Sequence, residues 1–414
     1  MGHEVAVLTV PKDRLPVTAG RPIPEGVKIV EIGLPEVFYR LRALHKKRFQ
    51  APATGTRKPS DGPSLITRLA LRLDDYRLRK GIFSTVRMPD ATDLWIRPAL
   101  RWGRNAGTWD LVISSSGPYA THLIGASLKK SGSARFWVAD YRDLWTDSHN
   151  CTGVFPITLI EKRLERWAMK QADLLTTVST PLANTLATKY RPERVEVIEN
   201  GFDSIDFKEL PPESIFPADG RIRIVYTGTV YKGRQDPRQL FAAIARLAGT
   251  DSNASLLDRL EVIFCGTSTP DVMDAIEKYG VARWVRHVGL LPRSDALRMQ
   301  RDAHALLFLE WDQGEIDGIL TGKLYEYLYS GTPIWGIGVT EKTATGRLIQ
   351  EAKAGMLFGN DGGKLAAELL RLLASGKKEI VRPPTDVLAP FERGSLAKRL
   401  LDSVNRRMSH QTLS

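Results

Sequence analysis

Short β-branched or leucine-rich runs alternate with helical stretches along this chain, and they do so twice. Val27 to Ile32, Leu111 to Ser115, Phe136 to Ala139, Leu174 to Val178 and Val195 to Ile198 make the first series. Ile222 to Thr227, Leu260 to Cys265, Val285 to Val288, Ala305 to Leu309 and Ile334 to Ile337 make the second. Strands separated by helices have long enough connections to pair in parallel, and parallel sheets are covered by helices on both faces. The order therefore predicts an α/β protein with two parallel sheets. With 414 residues and 43% hydrophobic content the chain can fill two cores. Ligands of such sheets collect beyond the carboxyl ends of the strands, so the loops that follow each strand carry the functional argument.

Several classes are disfavoured at the outset. Cys151 and Cys265 lie far apart without metal-ligand spacing, which argues for a reducing compartment and against a disulfide framework or structural zinc. No run of about 18 apolar residues occurs, as a membrane span would need. Met1-Gly2-His3-Glu4 lacks the cationic and apolar blocks of a secretion signal.

The most informative loop in the second half lies before the strand Ile334-Trp335-Gly336-Ile337. Thr321 and Gly322 can open a helix whose free N–H groups face an anion, Lys323 adds a cation in the first turn, and Glu326 follows one turn on. Ser330-Gly331-Thr332-Pro333 then stops the helix. An anion site followed by one carboxylate suits a ligand with a diphosphate at one end and sugar hydroxyls at the other; an ordinary helix-to-strand connection is the plainer alternative. A second loop, Gly228-Thr229-Val230-Tyr231-Lys232-Gly233-Arg234, follows the strand Ile222 to Thr227. Gly228 permits close backbone approach, and Lys232 or Arg234 can neutralise phosphate. No Gly-x-Gly-x-x-Gly opens a helix here, so this is not a dinucleotide fingerprint. No Asp-x-Asp with histidine support marks a metal cage, and neither a metal nor a cofactor is expected.

In the first half, Ser114-Ser115-Ser116-Gly117-Pro118-Tyr119 and Asp140-Tyr141-Arg142-Asp143-Leu144-Trp145-Thr146-Asp147 occupy two strand ends. Asp140, Asp143, Gly117, Arg142 and Trp145 are the candidate site residues at these two ends. His122 reads as a capping or packing histidine rather than a base.

Charge is local. Residues 40–104 hold 16 Lys/Arg against 5 Asp/Glu in a chain whose total net charge is +12. Leu65, Leu69, Leu73 and Tyr76 recur at three- and four-residue steps with Arg68, Arg72 and Arg79 on other faces, and Trp95, Ala99 and Trp102 form a second stripe. An anionic membrane surface is the expected partner of residues 40–104; a solvated face with core-facing aromatics is the alternative. Nucleic acid is not expected, because no DNA- or RNA-binding signature accompanies the charge.

The 321–334 segment resembles the donor-site motif of retaining GT-B glycosyltransferases, and the resemblance runs along the chain. In that group a glutamate before a small-residue-Gly-Thr/Lys-Pro turn binds the ribose, the place filled here by Glu326. The acid that normally stands eight positions earlier falls on Gly318. Glu315 or Asp317, or the backbone amides of Gly318 and Ile319, are the expected substitutes, with Leu320 and Thr321 completing the approach to the helix. Relatives carry Gly-Arg where Gly228-Thr229 stands, so the charge is expected on Lys232 or Arg234. They hold the nucleotide base at the loops corresponding to Gly266-Thr267-Ser268 and Gly289-Leu290-Leu291-Pro292. Residues 140–146 resemble the signature of a bacterial subgroup that builds surface polysaccharides, and 197–203 resembles the family's Ile-x-Asn-Gly-x-Asp hinge, where Asn200-Gly201 is expected to turn with φ > 0.

What the resemblance implies is an α/β GT-B fold of two Rossmann-like domains across a cleft. Residues 1–200 are then an acceptor domain with the basic insert 40–104, 201–220 a hinge, 221–390 a nucleotide-sugar domain, and 391–414 a helix crossing back and a tail. The implied activity is metal-independent, retaining transfer of a sugar from a UDP- or GDP-linked donor to a lipid-linked or polysaccharide acceptor, with Lys232, Arg234, Lys323 and the helix that Thr321 opens meeting the charge of the leaving diphosphate. Many relatives carry a histidine where Arg142-Asp143 stands, so the resemblance implies Asp143 or Asp140 as the acceptor-side polar group and Gly117, Arg142 and Trp145 as acceptor contacts. The setting is cytoplasmic, peripheral at the membrane. Val5 to Thr9 resembles the family's second strand, so a start internal to a longer reading frame is expected, a genuine short form being the alternative. A nucleotide-sugar epimerase and a non-catalytic scaffold are the competing functions.

Overall fold

A computed structural model describes residues 2–11, 25–34, 91–148, 155–250, 253–267, 270–311 and 320–412. Most of the basic segment, with its Leu65-to-Tyr76 stripe, lies outside the described residues, as do Cys151, Glu315, Asp317, Gly318 and Ile319. The chain divides into two compact units, the second comprising, among the described residues, 178–184 and 197–412.

The first unit contains β1 (Val5–Thr9) and β2 (Val27–Glu31), paired in parallel. It also contains a four-stranded sheet in the order β3 (Trp109–Ser115), β4 (Ala134–Tyr141), β5 (Leu174–Thr177), β6 (Val195–Val197). The 96–105 helix, Ile96–Asn105, lies against this unit's core: Trp95 and Ala99 are buried with Leu34, Ile124 and Leu128. The Trp95 indole donates to the Ile32 carbonyl at 2.9 Å, and Trp102 packs on Trp109 with ring centroids 5.6 Å apart. The Trp95-Ala99-Trp102 stripe is therefore spent on the interior and is not a membrane-facing surface. Its spacing is that of any helix burying one face.

The second unit is built on a six-stranded parallel sheet in the order β12 (Gly355–Gly359), β11 (Ile334–Ile337), β10 (Ala305–Leu309), β7 (Ile222–Thr227), β8 (Leu260–Cys265), β9 (Val285–Gly289). β7, β8, β10 and β11 are buried at every position and largely apolar, and the two charges among them, Arg223 of β7 and Glu261 of β8, pair with each other at 2.7 Å. Reversal of strand order between β7 and its neighbours places a switch point beside β7, where such sheets receive ligands.

Two details differ from expectation. Gly201 does not take a positive φ. A glycine is needed there because an added Cβ would stand 2.1 Å from the Phe391 carbonyl oxygen, where Phe202 N–H also bonds. The 201–220 stretch is not wholly loop either, since Ser204–Lys208 is a short helix capped by the Asp203 carboxylate on Ile205 N–H.

Candidate functional site

In the second unit the loop after β7 meets the helix Gly322–Ser330. Gly331 ends that helix in the left-handed conformation at φ 75°, which only glycine adopts without strain. The helix is pinned by the Thr227 N–H donating to the buried Tyr327 hydroxyl at 2.8 Å. Its opening is held by the Asn200 side chain donating to the Leu320 carbonyl at 2.9 Å. At the start, Gly322 faces open space, and the buried Thr321 hydroxyl has no partner among the described residues.

Lys323 and Glu326, three residues apart on this helix, make separate contacts. The Lys323 ammonium donates to the Tyr226 hydroxyl at 2.5 Å and lies 4.1 Å from the centre of that ring. A Cβ on Gly228, whose φ is 112°, would stand 3.2 Å from Lys323 Nζ, so the glycine leaves the room that the lysine uses. Burial pushes the Lys323 ammonium down to about 7, partly offset by Glu326. The unfolded chain then holds a proton that the folded one has lost between pH about 7 and 10.5, so the cost of burying this group falls away as pH rises across that window.

Glu326 is held from two sides. One oxygen accepts from Arg293 at 2.8 Å, and Arg293 also bonds Asp206 at 2.7 Å. The other accepts from Gln300 at 3.3 Å, whose amide also donates to the Thr227 hydroxyl at 3.0 Å. Arg293, Gln300 and Asp206 were not anticipated from sequence, because no local pattern joins residues 26 to 120 positions apart. Thr229 contributes its carbonyl, which accepts from the Tyr226 hydroxyl at 3.0 Å. Lys232 points away from this cluster in its contacts: it is exposed and bonds Asp271 at 2.7 Å, which raises its ammonium above the ordinary value. Arg234 is half-buried in the same loop.

In the first unit, Asp140 ends β4 fully engaged. Its carboxylate accepts from Ser115 at 2.9 Å, Thr176 at 2.9 Å and Arg142 Nε at 2.8 Å. It ties the ends of β3 and β5 to the turn at Arg142. Asp143 differs: its side chain is exposed, its carboxylate makes no hydrogen bond or ion pair among the described residues, and partial desolvation raises it above the usual carboxylate range. Gly117, at φ 85°, keeps the neighbouring turn open. Trp145 corrects the expectation of an acceptor contact: it is fully buried and stacks on Tyr119 at 5.1 Å.

His122 is a core histidine. It shares a 2.8 Å hydrogen bond with the Ser114 hydroxyl, which also accepts from the Trp137 indole at 2.9 Å. Burial lowers its imidazole from 6.5 to about 3, so it is neutral in the folded chain. Across pH 6.5 to 3 the unfolded chain binds a proton that the folded chain refuses. Each pH unit lost there costs about 1.4 kcal/mol from this residue alone. His122→Asn is expected to flatten the acid limb of stability measured by urea unfolding between pH 7 and 4; an unchanged slope would contradict a neutral buried His122.

Two parallel-sheet units of this kind, with a ligand-ready junction after the first strand of the second, define the GT-B class of fold. Sucrose-phosphate synthase from Thermosynechococcus elongatus superposes with TM-score 0.53 at 15% identity, covering 77% of this chain and 79% of its own. A structure described as a putative UDP-N-acetylglucosamine 2-epimerase from Listeria monocytogenes gives 0.51 at 15% identity, covering 100% and 98%. The α,α-trehalose 6-phosphate synthase of Burkholderia multivorans gives 0.53 at 8%, covering 78% and 76%. By sequence, the pattern of Glycosyltransferase Family 4 matches residues 1–204. No curated protein sequence matches the chain.

Proposed function

We propose that this chain is a glycosyltransferase that moves a sugar from a nucleoside-diphosphate donor, UDP- or GDP-linked, to an acceptor hydroxyl. The observation that carries the reading is the junction of Gly228, Lys323 and Glu326, with a cation, an open helix start and a held carboxylate in sequence. The helix opening at Gly322, with Lys323, suits a diphosphate, and Glu326 suits ribose hydroxyls. Stabilising the leaving diphosphate is the main catalytic work, with Lys323 as the buried cation beside it and Arg234 as the loop cation; Lys232 would have to leave Asp271 to take part. Asp143 is the acceptor-side polar group. Retention of configuration, independence of metal, and a lipid-linked or polysaccharide acceptor at the cytoplasmic membrane face complete the proposal, in line with the Family 4 match over residues 1–204. No helix among the described residues is long and apolar enough to cross a membrane.

Calorimetric titration of UDP and GDP tests the donor half directly. One nucleotide is expected to bind, and at pH 8 its binding takes up a proton, because a diphosphate favours the charged form of a lysine poised at about 7. The apparent enthalpy then varies with the ionisation enthalpy of the buffer, and Lys323→Met removes that variation. Equal enthalpies in all buffers for the wild type would remove Lys323 from the phosphate site. A 2-epimerase is the second reading, favoured by the full-length superposition on the Listeria structure. Conversion of UDP-N-acetylglucosamine without an acceptor would select it.

A further inference from the structure

The 157–169 helix, Ile157–Met169, is turned inside out at its beginning. Its buried positions include Glu161 and Glu165, whereas Leu159 is 50% exposed and Ile160 56%, and Phe155 just before the helix is 77% exposed. Glu165 has a reason to be inside: it accepts from the Tyr141 hydroxyl at 3.2 Å and from Thr146. The outward leucine, isoleucine and phenylalanine have no such reason, and water is a poor environment for three neighbouring large apolar side chains.

What surrounds them identifies the partner. Lys162, Arg163, Arg166 and Lys170 are all exposed on the same helix or at its end. Leu159, Arg163, Arg166 and Lys170 follow one another at steps of four, three and four, so they share one face. The two acids of the segment are buried, so the exposed surface carries only cations and apolar groups. Lys162 and Arg166 also border a cavity of about 290 Å³ whose acids, Asp147 and Glu165, are both partnered, Asp147 by Lys189 and Glu165 by Tyr141 and Thr146. An apolar tip ringed by cations matches the interface of an anionic bilayer, where aliphatic side chains enter the acyl boundary and cations meet the headgroups.

We propose that Phe155, Leu159 and Ile160, with Lys162, Arg163 and Arg166, dock the chain on an anionic phospholipid surface. The site is distinct from residues 40–104 and independent of the donor chemistry. Co-sedimentation of the full chain with phosphatidylcholine vesicles, with and without phosphatidylglycerol, tests it. Binding is expected only with the anionic lipid and to weaken at high salt. The triple variant Phe155→Ser, Leu159→Ser, Ile160→Ser is expected to lower the affinity about tenfold or more, and Lys162→Glu with Arg166→Glu to do the same, while nucleotide affinity stays at the wild-type value. Undiminished vesicle binding by the serine variant overturns the proposal and moves the membrane contact elsewhere in the chain. Absence of wild-type binding overturns it, as does wild-type self-association that the serine variant abolishes, which would make the patch an interface between copies. Loss of nucleotide binding in the wild type would instead sink the donor assignment and leave this result standing.

Discussion

Glu326→Ala is expected to raise the dissociation constant of the preferred nucleotide about tenfold to a hundredfold, with little change in melting temperature. Hydrogen bonds from ribose hydroxyls to a carboxylate are each worth about 1.5–3 kcal/mol. The wild-type carboxylate must share itself with Arg293, which brings the net effect to the lower part of that range. The fold tolerates the change because neither partner is orphaned: Arg293 keeps Asp206, and Gln300 keeps Thr227. Calorimetry with the variant and with Glu326→Gln checks this. Unchanged affinity in both would place the ribose elsewhere.

A second large effect is expected at Gly266. A Cβ there would lie 2.1 Å from the Gly228 carbonyl oxygen and 2.5 Å from its carbon. The two loops cannot simply part, because Gly228 N–H bonds Cys265 at 2.7 Å and Gly266 N–H bonds Gly289 at 2.9 Å. Gly266→Ala therefore overpacks a backbone-to-backbone contact, with an expected cost of about 1–3 kcal/mol and a melting point lower by about 5 °C. It also pushes Gly228, which already borders Lys323, so nucleotide binding is expected to fail along with stability. A thermal melt and one titration suffice; a variant that melts and binds like the wild type would show that the loops have slack.

The strands were legible because their signal is local. Leu260 to Cys265, Ala305 to Leu309 and Ile334 to Ile337 are buried runs bounded by polar or glycine-bearing turns, and the structure has the same bounds. β12, Gly-Met-Leu-Phe-Gly, was missed, since glycines at both ends dilute a five-residue signal. The helix at Gly322 and its glycine stop were also readable from neighbours in sequence. What holds Glu326 was not, because Arg293 and Gln300 reach it from another helix. Trp145, expected as an acceptor contact, is instead fully buried and stacks on Tyr119. Position along the chain identifies a loop, whereas only packing decides which of its side chains face outward.

The Arg293 guanidinium makes the chain its own competitor. In the free protein it already satisfies the carboxylate that a ribose would address, and Asp206 keeps it nearby. A sugar that offers two hydroxyls displaces or shares that contact, whereas a deoxy analogue offers less than the arginine it must replace. If Glu326 receives the ribose, binding is an exchange between two partners, and tightening the arginine's grip lowers the affinity of any nucleotide that must displace it.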